Sequence, residues 1–217
     1  MISFTLNRAA GENVGKYTIT PVGTAVQGNY NVAYATDMLE ITRATATVTA
    51  ENQEKVYGTA DQELTWTVDG LTNGDTKSVI SATVSRKEGE NVGTYTIMPA
   101  GDAVQNNYNV VFKTGEMTIT KAAAKVTAGN KSKTYDGLVY NDSDLTAAVT
   151  GLVGNDTISY NLTAEGATDA GTYTIKASGS SDQGNYNVEF ADGTLTIDKR
   201  KVTLTSGSDE KQYDGSS

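Results

Sequence analysis

The 217 residues carry 26 acidic and 17 basic side chains, for a net charge of −9, and contain neither cysteine nor histidine. Disulfides, thiolate nucleophiles, Cys/His zinc sites and Ser-His-Asp catalysis are thereby excluded. An acidic chain lacks the clustered Lys and Arg that neutralise phosphates, so nucleic acid is not an expected partner.

The chain opens with Met1-Ile2-Ser3-Phe4-Thr5-Leu6, which alternates apolar and polar residues. A secretory signal would need a basic start and an unbroken apolar stretch. No later run is apolar enough to span a bilayer, so a signal or anchor is expected to lie outside these residues. Beyond this opening, strand-like segments follow one another. Gly15-Lys16-Tyr17-Thr18-Ile19, Asn29-Tyr30-Asn31-Val32 and Leu39-Glu40-Ile41-Thr42 are the first. Next, strands are expected near 44–50, 63–69, 79–85, 94–98, 108–113 and 116–120. Apolar residues recur there at every second position, as on a strand with one buried face, and Thr, Val, Tyr and Ile fill the runs. Turns rich in Gly, Asn and Asp, such as Asn73-Gly74-Asp75, separate them. No window reads as a helix. Ala122-Ala123-Ala124 aligns with the strand-like Ala44-Thr45-Ala46.

The segments repeat with a step of 78 residues. Tyr17 returns as Tyr95 and Tyr173, each in Gly-x-Tyr-Thr-Ile. Tyr30 returns as Tyr108 and Tyr186, each in Asn-Tyr-Asn-Val. Tyr57 returns as Tyr135 and Tyr213, and Pro21 returns as Pro99. The phase defines complete units at 43–120 and 121–198. Residues 1–42 match the second half of a unit, and 199–217 match the opening of a further one. The chain therefore reads as a piece of a longer tandem array.

Strands of this length and spacing point to tandem all-β modules, most simply an immunoglobulin-like β-sandwich. Asp169-Ala170-Gly171-Thr172-Tyr173-Thr174-Ile175 has the layout of a tyrosine corner, with Ile175 in place of a cysteine. A β-grasp-like sheet is the alternative. The junctions Ile41-Thr42-Arg43-Ala44, Ile119-Thr120-Lys121-Ala122 and Ile197-Asp198-Lys199-Arg200 hold neither Gly nor Pro. Such short connections limit hinge motion, so a rod is expected, each module adding roughly 30–40 Å.

The chain resembles the MBG-type and related YDG-type repeats of bacterial cell-surface adhesin-like proteins. The residues that carry the resemblance are Lys133-Thr134-Tyr135-Asp136-Gly137, Gly151-Leu152 followed by Asn155-Asp156, Gly171-Thr172-Tyr173-Thr174-Ile175, Asn185-Tyr186 and Leu195-Thr196-Ile197. Unit 43–120 differs in having Tyr57-Gly58 where the next has Tyr135-Asp136-Gly137. The resemblance implies an extracellular or cell-wall-associated β-module without catalysis or cofactor.

The candidate residues each have a plain structural reading. The repeated Tyr17, Tyr95, Tyr173, Tyr30, Tyr108, Tyr186, Tyr57, Tyr135 and Tyr213 could stack on sugars, but their repetition on alternating strands favours half-buried core positions. Trp66 is not repeated, has Ala147 or Ala148 near its equivalent, and is the one weak candidate for a ligand contact. Asn141-Asp142-Ser143-Asp144 offers hard oxygens for calcium but lacks an EF-hand pattern. Asp75 and Asp156 sit in Asn/Gly turns rather than as a glycosidase pair. Lys55, Lys133, Lys211, Asn107 and Asn185 recur and raise the question of Lys–Asn isopeptide bonds. The expected role is a spacer that projects a functional head. The alternative is a module that binds a glycan or host surface protein through its inter-strand loops. A further expectation is head-to-tail association, with residues 199–217 of one molecule docking on residues 1–42 of another.

Overall fold

The computed structural model describes residues 1–215. The chain is all-β and built of tandem repeats; its only helical turns among those residues are two single 3-10 turns, Lys77–Val79 and Asp142–Asp144. Nothing there supplies the helix that a β-grasp lays across its sheet. The chain divides into two compact units, Met1–Thr120 and the residues from Lys121 onward.

Residues 43–120 form two four-stranded sheets. One has the order Val104–Gln105, Tyr108–Lys113, Ala44–Ala50, Trp66–Asp69, and the other Gln53–Val56, Gly115–Thr120, Gly93–Ala100, Thr83–Arg86. Ala46, Val48, Tyr108, Val110 and Ile80 form the buried cluster of the first sheet, and Ala50, Ile97, Met117 and Ile119 that of the second. The threonines between them, such as Thr45 and Thr96, are exposed, as an alternating pattern requires.

The sheets depart from the all-antiparallel immunoglobulin pattern in one respect. Ala44–Ala50 runs parallel to Tyr108–Lys113, and Gln53–Val56 runs parallel to Gly115–Thr120. The partners Ala44↔Tyr108 and Lys55↔Ile119 share one offset of 64 residues. The first and last stretches of the module therefore lie side by side in continuous register and cross from one sheet to the other together. The crossing has its own chemistry. A Cβ on Gly115 would stand 2.6 Å from the Ala50 carbonyl oxygen, so only glycine lets the two backbones approach there. Asn52 Oδ1 accepts the Glu116 N–H at 2.8 Å, standing in for a backbone rung at the crossing. Gln53–Val56 was missed by the alternation pattern because Gln53-Glu54-Lys55 is polar throughout; its strand conformation comes from the ladder alone.

Residues 121–198 repeat this arrangement. The sheet orders are Ala147–Thr150, Ala122–Ala128, Tyr186–Ala191, Asp182–Gln183 and Lys131–Thr134, Gly193–Asp198, Gly171–Ser178, Asn161–Thr163. The parallel offset is again 64, as in Ala122↔Tyr186 and Lys131↔Leu195, and Asn130 Oδ1 accepts the Thr194 N–H at 2.8 Å. The period of 78 conceals two shifts. Trp66 pairs with Ala50, and Ala147 with Ala128. Ala147 is thus the structural equivalent of Trp66, 81 residues on. The second module is three residues longer before this strand, where Asp142–Asp144 forms its turn, and three shorter after it, where Lys77–Val79 has no counterpart.

Residues 1–42 form a three-stranded sheet, Thr5–Arg8, Gly15–Val22 and Asp37–Ile41, with a small hairpin of Val26–Gln27 and Tyr30–Asn31. The first ladder segment is missing from this half-module, and residues 32–35, which correspond to the last four residues of Tyr108–Lys113, take no strand conformation. Tyr30 is 64% exposed where Tyr108 is 1% exposed. Residues 199–215 contain no strand, and Val202 and Leu204, which correspond to the buried Ala46 and Val48, are 73% and 93% exposed. Ser216 and Ser217, the end of the expected docking segment, lie outside the described residues.

Candidate functional site

The repeated tyrosines occupy three different environments. Tyr17, Tyr95 and Tyr173 each donate their hydroxyl to the backbone carbonyl four residues earlier, Asn13 at 2.7 Å, Asn91 at 2.7 Å and Asp169 at 2.9 Å. This is the corner expected from Asp169-x-Gly-x-Tyr, and Asn serves equally because the acceptor is main chain. Gly11 and Gly89, at φ +143°, lie flat beneath the rings of Tyr17 and Tyr95, where a Cβ would collide at 2.1 Å.

Tyr108 and Tyr186 are core residues with a polar end. The Tyr108 hydroxyl donates to Asp75 Oδ2 at 2.6 Å and accepts the Thr72 N–H at 3.0 Å. Tyr186 does the same with Asp156 Oδ2 at 2.6 Å and the Val153 N–H at 2.9 Å. The turn carboxylates of Asp75 and Asp156 thus hold a buried phenol, which satisfies a group that would otherwise be costly to bury. Tyr57 packs against the second core cluster, whereas Tyr135 and Tyr213 are exposed.

Another repeated side chain escaped the sequence reading. Gln27, Gln105 and Gln183 each accept a serine N–H through Oε1 and donate through Nε2 to the same serine's carbonyl. The serines are Ser3, Ser81 and Ser159, so the 78-residue step was the available signal. These glutamines tie the short strand before the penultimate one to the non-strand stretch that leads into the opposite sheet.

Trp66 rests half-buried against the first core cluster. The Lys77 ammonium sits 3.8 Å from its ring centroid, a cation–π contact, and donates to the Trp66 carbonyl at 2.5 Å. Trp66, Asp69, Asp75, Thr76 and Lys77 line an open groove of about 570 Å³. Both Trp66 and Lys77 are special to this module, since Ala147 replaces the first and the second falls in the three-residue turn missing from 121–198.

The densest charge cluster is also special to this module. Lys55, with a side chain only 3% exposed, is paired with Asp61 at 2.7 Å and with Glu90. Arg86 grips Asp61 through Nε at 2.5 Å and Nη2 at 3.1 Å, and also pairs with Glu90. The hydrogen bond from Arg86, then that from Lys55, holds the Asp61 carboxyl down at about 2. Hydrogen bonds that Lys55 donates to Asp61 and Glu90 raise it above its ordinary value, and Lys55 and Arg86 lower Glu90. An amide crosslink needs a neutral amine and an uncharged acid derivative; this cluster stabilises the charged form of each member. The Asn107 side chain is engaged elsewhere, accepting the Val14 N–H at 3.0 Å and donating to Asn13 Oδ1 at 3.0 Å. In the next module Ala164 and Thr168 stand at the places of Arg86 and Glu90, and Lys133 pairs with Asp136 at 2.8 Å. The half-module keeps only Arg8 and Glu12, paired with each other.

The acidic stretch 141–144 is consumed by its own turn. Asn141 Oδ1 accepts the Ser143 N–H at 3.1 Å, and Asp142 Oδ1 accepts the Ala164 N–H at 2.9 Å. Among the described residues no group of three or more Asp and Glu is placed to hold a metal ion.

Two-sheet β-modules repeated in tandem, with recurring polar side chains directed at their own backbone, define a class of β-repeat proteins. The family model of the MBG domain (YGX type) matches residues 1–40, 46–118 and 124–196, and the chain belongs to that family. Tyr57-Gly58, which differs from the Tyr-Asp-Gly of the next unit, carries the Tyr-Gly of that description. No curated protein matches the chain. MBG domains are non-catalytic repeats found in surface adhesin-like proteins.

Proposed function

We propose that these modules are spacer repeats of a bacterial surface adhesin-like protein, standing outside the cell and carrying a functional head away from it. The observation that supports this most directly is where the repeated polar groups go. The tyrosine corners, the buried Tyr–Asp pairs and the Gln–Ser brackets recur from module to module, and each is spent inside its own module. Repetition here serves folding rather than a ligand. Asn107 adds a joint, since its side chain reaches Asn13 and Val14 of the preceding half-module across a junction without Gly or Pro. An elongated small-angle scattering profile is expected; a compact globule would sink the proposal.

A second reading rests on what the modules do not share. The groove beside Trp66 and Lys77 belongs to module 43–120 alone and combines an aromatic face with Asp69, Asp75 and Thr76. A glycan or host protein would bind there, in one module and not its neighbour. Glycan-array screening and pull-down with the chain and its Trp66→Ala variant separate the two readings. Specific micromolar binding that the variant loses favours the binding module and removes the pure spacer.

A further inference from the structure

The geometry points to a mechanical role: each complete module is a clamp that resists tension applied along the chain. This deepens the spacer reading and rests on it only for the source of the load.

The argument starts from the parallel ladder. In module 43–120 it begins where the Ala44 N–H meets the Asn107 carbonyl at 3.0 Å and ends where the Tyr57 N–H meets the Thr120 carbonyl at 2.8 Å. In module 121–198 the same rungs are Ala122 to Asn185 at 2.9 Å and Tyr135 to Asp198 at 2.8 Å. Between them the offset of 64 never changes, and the two stretches stay neighbours in both sheets. Tension in a tandem array enters a module at its first residue and leaves at its last. The first residue lies at one end of the ladder and the last at the opposite end. Because the stretches are parallel, the pull slides them past each other along their own axes, and the rungs bear it together. An antiparallel terminal pair would be opened one rung at a time.

Two features suit the ladder to this load. It does not break where it changes sheets, because Asn52 and Asn130 supply the side-chain rung there and Gly115 and Gly193 let the backbones close up. It is also anchored on both sides. Ala44–Ala50 and Gly115–Thr120 are interior strands of their sheets, flanked by Trp66–Asp69 and Gly93–Ala100. The half-module is an internal comparison: without the first stretch, residues 32–35, whose counterparts in both complete modules are strand, are not.

The test is single-molecule force spectroscopy on the whole chain. End-to-end pulling should show two peaks, one per complete module, each releasing about 260–280 Å of contour less the folded length. The absence of native cysteine allows a second geometry. Handles on Leu138→Cys and Lys199→Cys pull both stretches of module 121–198 from the same end and peel the ladder. The end-to-end force should exceed the peeling force severalfold. Asn130→Ala should lower one of the two end-to-end peaks and leave the peeling force unchanged, because shear sums the rungs whereas peeling meets them singly. An end-to-end force no higher than the peeling force overturns the clamp, as does an Asn130→Ala effect equal in both geometries. Ligand binding at Trp66 would remove the pure spacer and leave this result standing.

Discussion

Lys55 carries much of the difference between the two complete modules. Its ammonium is buried and held by Asp61, Glu90 and the Thr59 carbonyl at 3.1 Å. Lys133, its repeat, pairs with Asp136 and the Leu138 carbonyl at a more open site. Truncating a buried, hydrogen-bonded charge strands its partners, so Lys55→Ala should cost about 2 kcal/mol. Lys133→Ala should cost under about 1 kcal/mol. Trp66 is the single tryptophan and lies in the first of these modules, so its fluorescence during thermal melting reports Lys55→Ala and should be insensitive to Lys133→Ala. The same cluster sets an acid response. A carboxyl at about 2 in the folded module, against roughly 3.9 in the unfolded chain, contributes stability that is complete above about pH 4. That contribution drains away as pH falls through 4 towards 2. Glu90 is shifted in the same direction. The raised Lys55 adds the opposite limb: while its carboxylate partners are ionised, its contribution is present below its ordinary value and is lost only in strong alkali. An acid titration should therefore lower the melting temperature seen by Trp66 between pH 4 and 2, and Arg86→Ala should flatten that slope. An unchanged slope in the variant would refute the assignment.

At the scale of elements, the two modules keep the ladder and vary the loops. One holds its extra three residues as the turn Lys77–Val79, the other as Asp142–Asp144. Deleting residues 77–79 joins Thr76 to Ile80 as Thr157 joins Ile158, so the module should still fold. The loss is the Val79 packing and the 2.8 Å bond from Asn106 Nδ2 to the Val79 carbonyl, together under about 2 kcal/mol. Circular dichroism should stay all-β, with Trp66 emission shifted to the red as Lys77 leaves its ring. The strands that alternate, such as Ala44–Ala50 and Gly93–Ala100, were legible in the sequence because one face of each is buried. Gln53–Val56 and Lys131–Thr134 were not, since their conformation comes from a partner 64 residues away and polar side chains conceal it. The parallel sense was likewise invisible, because alternation is the same in either direction. At the candidate site, the tyrosine corner could be read from spacing, while the Lys55 cluster could not. It draws Asp61 and Arg86 from loops and strands that share no motif.

At the scale of the molecule, residues 200–212 hold the positions of the first ladder stretch and residues 30–42 those of its partner. With offset kept, Val202 and Leu204 face the positions that Ala46 and Val48 fill in module 43–120, and Lys211, now paired with Asp214 at 3.0 Å, comes to Glu12 as Lys55 does to Glu90. The chain on its own is expected to associate head to tail, seen as concentration-dependent mass in analytical ultracentrifugation. Lys211→Glu and Glu12→Lys should each weaken it, and the double exchange should restore it. A single mass at all concentrations would count against it.

The constant offset has a genetic consequence. Two modules that agree in ladder register can exchange DNA at any matched position and still encode a protein whose terminal stretches meet correctly. A crossover between the two variable turns would yield hybrids with both insertions or neither, three residues longer or shorter than the 78 of either parent. The two turns, with the Val79 packing that one of them supplies, would absorb the change. An array of this kind can lengthen, shorten and shuffle by unequal recombination without passing through a misfolded intermediate, and its copy number is expected to vary more freely between strains than the sequence of its ladder.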